Sequence, residues 1–375
     1  MKIRAAVLER GGAAAPYAET KPLVVQEVEL APPGFGEVLV KVGAAGVCHS
    51  DLSVIDGNRP RPVPMVLGHE AAGTVVEVGA GVSDLAPGDS VVFVFVPSCG
   101  HCGPCAEGRP ALCEPAAEHN TAGELLSGER RLSRASGPIH HHVGVSAFAE
   151  YATVSRRSLI KIDRDIPLDI AALFGCAVLT GAGAVINTAA VKAGTTVAVV
   201  GLGGVGLAAV LAAVASGAER VVVVDRLQDK LDFAMTLGAT DAFRADEPDV
   251  VAAVKAATRG GVDAAIELAG SAKALELAYA ITRRGGTTVT GGLPNPNAMF
   301  SIPAVSLVAE ERTIKGSYIG TCVPTRDLPR MIGLYRRGRL PVDRLLTHRL
   351  GLDDINLAMD RLRDGSAIRQ VVTFD

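Results

Sequence analysis

A short apolar segment, Thr196–Val200, runs straight into Gly201-Leu202-Gly203-Gly204-Val205-Gly206, and the Ala/Val-rich stretch Gly204–Gly217 that follows has the texture of a buried helix. Val221–Asp225 is a second apolar strand, and it closes on an acid 19 residues after Gly206. A bare Gly-x-Gly-x-x-Gly is common. Between a strand and a helix, with an acid ending the next strand, it is the fingerprint of a dinucleotide-binding βαβ unit. Gly201, Gly203, Gly204 and Gly206 let backbone approach a pyrophosphate, whose charge the helix N-terminus favours. Asp225 can accept hydrogen bonds from the adenosine ribose hydroxyls and would repel a 2′-phosphate, which favours NAD over NADP. Arg226 beside it leaves some tolerance of NADP open. Lys230–Leu237 reads as the next helix, and Ala264–Glu267, Thr287–Thr290 and Ile314–Ile319 as further strands at βα spacing. Strand and helix in alternation give an α/β fold with a doubly wound parallel sheet.

The residues before about 178 have a different texture. Val24–Leu30, Glu37–Val42, Gly73–Val78, Ser90–Val96 and Phe148–Val154 are short, Val-rich and separated by Gly/Pro punctuation. They predict an irregular β-rich domain. Glu114–Gly137 is polar and aperiodic and reads as a long surface loop. After about 320 the chain turns charged and helical (Leu328–Arg337, Leu352–Asp364) and ends on a strand, Gln370–Phe374. Hydrophobic residues at 48% and charged residues at 21% exclude disorder for most of the 375 residues. A net charge of −3 gives no field that favours nucleic acid or an anionic membrane. The start, MKIRAAVLERGG, is not a secretory signal, and Val205–Ser216 is too short to span a bilayer. The expected location is cytoplasmic.

Seven cysteines in a reducing compartment point to metal rather than disulfides. Cys99-x2-Cys102-x2-Cys105-x7-Cys113 places four thiolates in one loop, the donor set of a closed tetrahedral structural zinc site. An iron–sulfur run would end C-x3-C-P; here the last gap is seven and Glu114 follows. Cys48-His49-Ser50-Asp51 and Gly68-His69-Glu70 each lie beside a predicted strand, and Cys176 lies far along the chain. Two Cys and one His with an open fourth position would make a catalytic zinc site. Each residue alone is ordinary; the joint pattern carries the reading.

Together these segments (GVCHSDL, GHEAAGTVVEVG, the four-Cys lobe, the GLGGVG turn and the terminal Ile368-Arg369) closely resemble the zinc-dependent medium-chain alcohol dehydrogenases over essentially the whole chain. The resemblance implies a GroES-like β-rich catalytic domain over 1–177, an NAD-binding Rossmann domain over 178–320, and a return of 321–375 to the catalytic domain, with the active site in the cleft between the two. It implies two zinc ions per chain. Cys48, His69 and Cys176 would hold the catalytic one, and Cys99, Cys102, Cys105 and Cys113 the structural one. Asp51 would orient His69, Glu70 would sit behind the metal and could become a transient ligand, and Ser50 would begin a proton relay. Gly201, Gly203, Gly204, Gly206, Asp225 and Lys230 would bind NAD, with His49 and Arg369 flanking its pyrophosphate. The implied activity is hydride transfer between a primary or secondary alcohol and NAD, giving an aldehyde or ketone.

Two departures from the family pattern stand out. A His further along GVCHSDL that completes the relay in liver-type members is here Ser53, so His49 or water would take the proton. The substrate pocket keeps Phe95 and Leu293 as apolar lining but adds Arg59, Glu118, His142 and Tyr318. A polar or anionic substrate read by Arg59 is one consequence; an Arg59 facing solvent is the other. The run His140-His141-His142 cannot face one way along a strand and is assigned to pocket and loop roles. A thiol-adduct dehydrogenase of the formaldehyde type, and a non-catalytic NAD- and zinc-binding scaffold or redox sensor, are the competing classes. The length of 114–137 resembles dimeric members, which implies a homodimer, with a tetramer as the alternative.

Overall fold

The computed structural model describes residues 1–374 as two compact units. The first comprises Met1–Cys176, Val323–Pro329 and the chain from Leu346 on; the second comprises Ala177–Cys322 and Arg330–Leu345.

In the first unit, Lys2–Leu8, Leu23–Leu30, Leu132–Arg134, Gly137–His141 and Met65–Val66 close a small barrel. A second sheet runs in the order Leu159–Ile162, Ser90–Phe93, Glu70–Val78, Glu37–Gly46, Arg369–Thr373, Leu346–Leu350, with Tyr151–Ser155 also paired to Glu37–Gly46. Alternation along that central strand divides the cores. Val38, Val40 and Val42 enter one apolar cluster with Phe93 and Phe148, while Leu39 enters another with Ile3, Val28 and Ile139. Both faces are covered along most of its length, and only Lys41 in this strand is exposed. Each fully buried Val, Leu, Ile or Phe contributes about 1.5 to 3 kcal/mol. Register places the chemistry. Gly46 lies opposite both Glu70 and Val371, so three chain segments arrive at one end of the sheet. They carry Cys48, His69–Glu70 and Arg369.

The second unit holds six parallel strands: Asp241–Arg244, Arg220–Asp225, Thr196–Val200, Val262–Glu267, Thr282–Thr290 and Thr313–Gly316, in that spatial order. Counted along the chain this is 3-2-1-4-5-6, the doubly wound arrangement of dinucleotide-binding domains. Helix Gly204–Ala215 follows strand Thr196–Val200 directly.

Three expectations are corrected. Glu114–Gly137 is not a loop: Glu114–Ala122 is an α-helix and Leu132–Arg134 a barrel strand. The helix was hidden because only Ala116 is buried, so no apolar stripe marks it. Its punctuation was present, with Pro115 in the first turn and Gly123 as a left-handed cap. The segment 321–375 does not return as one piece. Arg330–Leu345 folds with the second unit, where Leu340, Val342 and Leu345 are buried and Arg339 donates to the Ala215 carbonyl. The last parallel strand is also shorter than expected, because Ile319–Thr321 forms a 3-10 turn around Gly320 at φ +67°.

Candidate metal centres and dinucleotide turn

Cys48 sits between the end of strand Glu37–Gly46 and the helix His49–Ile55, in extended backbone as that helix's N-cap. Asp51, three residues on, turns back so that Oδ2 accepts the Cys48 N–H at 3.3 Å. His69 follows Gly68, whose φ of +89° and contact with the Phe148 backbone exclude a side chain. Cys176 ends the short turn Leu173–Gly175. The two sulfurs and one ring nitrogen of Cys48, His69 and Cys176 lie within 4.8 Å of one another, all buried. His69 Nδ1 is 3.1 Å from Asp51 Oδ1, which leaves Nε2 buried without a hydrogen-bond partner. A buried ring nitrogen without a hydrogen-bond partner is costly unless something binds it. The donor set fits zinc with three protein ligands and an open position.

The electrostatics favour a thiolate–imidazolium pair, whose proton a bound metal would displace. The Cys176 hydrogen bond and the His69 charge hold the Cys48 thiol well below its ordinary range, while sharing with Cys48 and burial push Cys176 up. Burial opposes a charge on His69, but Asp51 and Cys48 outweigh it and raise its pKa. Burial likewise works against an ionised Asp51, and the imidazoles beside it keep it ionised. Glu70, behind the triad, is pushed by burial up to about 7 against the pull of Arg369.

Arg369 has a partner that the sequence does not reveal. It was expected beside a pyrophosphate; it is 3% exposed and forms an ion pair with Glu70. Strand pairing at Gly46 brings the two together and buries both. Ser50 is half-buried and His49 exposed on the first turn of their helix. Ser53 donates to the His49 carbonyl at 2.8 Å, so its hydroxyl is turned into the helix. Phe95 stands edge-on to His69, with ring centroids 5.2 Å apart. Asn120, on the helix missed in the sequence, donates to the Phe95 carbonyl at 3.0 Å. Arg61 donates to the Asn120 carbonyl at 3.3 Å. Arg59 is half-buried just past helix His49–Ile55. Leu293 and Tyr318 belong to the second unit, at 50% and 40% exposure.

Cys99, Cys102, Cys105 and Cys113 cluster within the same 4.8 Å limit. Cys99 Sγ accepts the Cys102 N–H at 3.3 Å, and Cys113 Sγ accepts the Cys99 N–H at 3.2 Å. Such N–H···S contacts favour thiolates. The His101 N–H leads in drawing Cys99 down to about 6, while burial pushes Cys105 up to about 12. His101 points away, its Nδ1 on the Cys99 carbonyl at 3.1 Å.

In the second unit, Gly201 takes φ +93°, and a Cβ on Gly206 would overlap the Gly201 carbonyl oxygen. A Cβ on Gly203 would meet nothing within 4 Å. Gly203 is the N-cap of helix Gly204–Ala215 and supplies no side-chain cap. The turn is thus tight inside and open at the helix N-terminus, where a phosphate fits. Asp225 accepts the Leu202 N–H at 2.7 Å and the Leu227 N–H at 3.0 Å, which fixes its carboxylate at the strand end with lone pairs to spare. Lys230 lies in the first turn of helix Gln228–Thr236.

Residues 34–164 match the alcohol dehydrogenase GroES-like domain, and residues 204–337 the zinc-binding dehydrogenase domain. The geraniol dehydrogenase of Castellaniella defragrans is 40% identical over 356 residues, covering 94% of this chain and 95% of its own. The chain belongs to the zinc-dependent medium-chain alcohol dehydrogenase family. Benzyl alcohol dehydrogenase from Acinetobacter calcoaceticus superposes on this dehydrogenase with a TM-score of 0.93 at 33% identity, over 100% of both chains. A chain from Sinorhizobium meliloti 1021, solved with NADP, gives a TM-score of 0.80 at 29% identity, again over 100% of both. Family membership makes this protein an oxidoreductase of small-molecule alcohols with zinc and a nicotinamide cofactor. Among the described residues, no single helix is long and apolar enough to cross a membrane.

The histidine run separates in this dehydrogenase as strand alternation requires. His140 accepts from Arg130 Nε at 3.2 Å. His141 is buried and its Nε2 accepts the Arg131 N–H at 3.0 Å. His142 was assigned to the substrate pocket; it is buried, with Nδ1 3.1 Å from Asp51. Burial first, then the charges of Arg130 and Arg131, push His141 down to about 3. The fold therefore holds it neutral, while the unfolded chain takes up a proton below about 6.5. Stability from this residue is complete above about 6.5 and declines toward pH 3, by on the order of 1 kcal/mol per pH unit. His141→Gln keeps an acceptor and removes the titration. Urea unfolding should show the wild-type advantage at pH 7 shrink by about 1 to 2 kcal/mol at pH 5.

Proposed function

We propose that this chain oxidises primary or secondary alcohols to aldehydes or ketones with NAD, using one zinc ion at Cys48, His69 and Cys176 and a second, structural one in the four-cysteine lobe. The observation that carries the reading is the buried triad, with the unpartnered His69 Nε2 among its donor atoms. Bound there, zinc supplies Lewis acidity toward the alcohol oxygen, and NAD supplies the hydride acceptor. The chain's residues do the rest. Asp51 holds the His69 tautomer through Nδ1. Ser50 Oγ receives the alcohol proton and hands it on, and exposed His49 or water takes it in place of inward-turned Ser53. Phe95, edge-on to His69, gives the site an apolar wall suited to allylic or aromatic alcohols, in line with the names of the geraniol and benzyl alcohol relatives. Gly203 and the helix N-terminus receive the pyrophosphate, and Asp225 the ribose hydroxyls, favouring NAD over NADP.

Purified protein carrying two zinc ions should form NADH from a panel of aliphatic, allylic and benzylic alcohols, and faster with NAD than with NADP. No turnover on any free alcohol, with zinc and NAD both bound, overturns the reading. Asp225→Ala should narrow the NAD preference by about tenfold, one lost ribose contact and one lost repulsion, in kcat/KM ratios. The enzyme is read as cytoplasmic and as a homodimer. Support for the dimer is the edge strand Thr313–Gly316 beside helix Ala304–Ala309, on which Val305 and Val308 are 72% and 82% exposed. Light scattering at the monomer mass would refute the dimer.

A further inference from the structure

His142 is a buried imidazole beside the triad that the proposed chemistry does not use. It follows strand Gly137–His141, which pairs in parallel with Met65–Val66 so that Met65 faces His140 and Val66 faces His141. The residues next in line are Leu67-Gly68-His69 on one segment and His142 on the other. His142 is 3% exposed. Its ring is perpendicular to that of His69, with centroids 5.4 Å apart and planes at 89°. Its backbone N–H donates to Ser146 Oγ at 2.9 Å, and that hydroxyl donates to the Val66 carbonyl at 2.8 Å, which anchors the base of the side chain.

His142 Nδ1 lies 3.1 Å from Asp51 Oδ1, off the line of a well-aligned hydrogen bond but within full reach of its charge. The same oxygen faces His69 Nδ1 at 3.1 Å and accepts the Gly68 N–H at 3.0 Å. A lone pair on His142 Nδ1 at that distance from a carboxylate oxygen would be repelled, whereas an N–H is attracted. The hydrogen therefore sits on Nδ1 and the lone pair on Nε2. The Asp51 carboxylate is thus surrounded by the Cys48 N–H, the Gly68 N–H and two imidazole N–H groups. Of these, His142 alone lies outside the two segments that carry Cys48 and His69.

We propose that His142 is a positioning residue for the metal centre: its Nδ1–H holds the Asp51 carboxylate in the orientation that keeps His69 Nε2 turned toward Cys48 and Cys176. This rests on reading those three residues as zinc ligands. Partners of this kind are worth about 10- to 100-fold in metal affinity.

The two amide side chains separate the two ring nitrogens. Asparagine places its amide nitrogen near the position of Nδ1, and glutamine near that of Nε2. Titration of the zinc-loaded protein with a chromophoric chelator should release two ions in separate steps, with the four-cysteine ion as internal reference. In His142→Phe and His142→Gln the affinity of the Cys48/His69/Cys176 site should fall about tenfold or more, while in His142→Asn it stays within about threefold of wild type. Cobalt substituted at that site should show a shifted absorption spectrum in the first two variants and a wild-type spectrum in the third. Unchanged affinity in His142→Phe, or rescue by glutamine and not asparagine, overturns the proposal; the second result would assign the work to Nε2. If His142→Phe fails to fold, judged by melting and by loss of the reference ion, the Asn–Gln comparison decides alone. Wild-type protein that holds zinc only in the four-cysteine lobe overturns the metal reading itself, and is distinguishable from two ions held equally well by every variant, which overturns the proposal alone.

Discussion

Cys176→Ala is expected to leave a folded protein with one zinc ion in place of two and to lower alcohol oxidation by about 10³-fold or more. The magnitude follows from the chemistry assigned to the metal: Lewis-acid stabilisation worth several kcal/mol, at a factor of ten per 1.4 kcal/mol. Folding should survive. Cys176 lies on a buried turn whose close packing comes from Leu173, Phe174 and Gly175, all fully buried, and alanine keeps the Cβ. Metal analysis and steady-state NADH formation on one preparation check both halves. Cys105→Ser should do the reverse. Its lobe lies apart in sequence from the triad and holds four donors around one centre, so loss of that ion should lower the melting temperature while the remaining zinc still supports turnover. If Cys176→Ala keeps two ions and full activity, the triad is not the catalytic centre. If both variants lose both ions together, the two sites are not independent.

The difference in legibility between the two sites has a physical origin. Four cysteines in one loop, and a glycine turn between one strand and one helix, are local: spacing fixes geometry, so the four sulfurs come together and the turn stays open at Gly203. The triad is not local. Cys48, His69 and Cys176 are gathered by the register of Gly46 against Glu70 and by the turn after Leu173, which no spacing rule gives, so the joint pattern of residue types and the family resemblance had to single them out. What surrounds the triad was harder still. The pairing of Glu70 with Arg369 and of His142 with Asp51 depends on which strands are neighbours, and no spacing in the sequence gives that. The helix Glu114–Ala122 was missed for the opposite reason. Its caps were legible, but it buries almost nothing, and periodicity reports burial rather than helicity.

Gly203→Ala and Gly206→Ala differ by one methyl group at positions three residues apart, and they should fail in different ways. Gly203 has φ −72°, which alanine adopts freely, and open space around the site of a Cβ. Its variant should melt within a degree or two of wild type. The methyl group would instead occupy the space where the pyrophosphate approaches the helix N-terminus, so the KM for NAD should rise about tenfold or more, with zinc content unchanged. Gly206 sits inside the turn, where a Cβ overlaps the Gly201 carbonyl oxygen. Relief requires the helix start or the turn to shift, and forced overpacking of this kind costs typically about 1 to 3 kcal/mol. Gly206→Ala should therefore lose stability first and cofactor affinity as a consequence. Thermal melts with and without NAD, beside KM for NAD, distinguish the two. A Gly203→Ala protein with wild-type KM would mean that the cofactor does not use this turn. A Gly203→Ala protein that unfolds would mean that the turn needs its glycine for the chain alone, and the open space at the helix N-terminus would lose its meaning as a binding site.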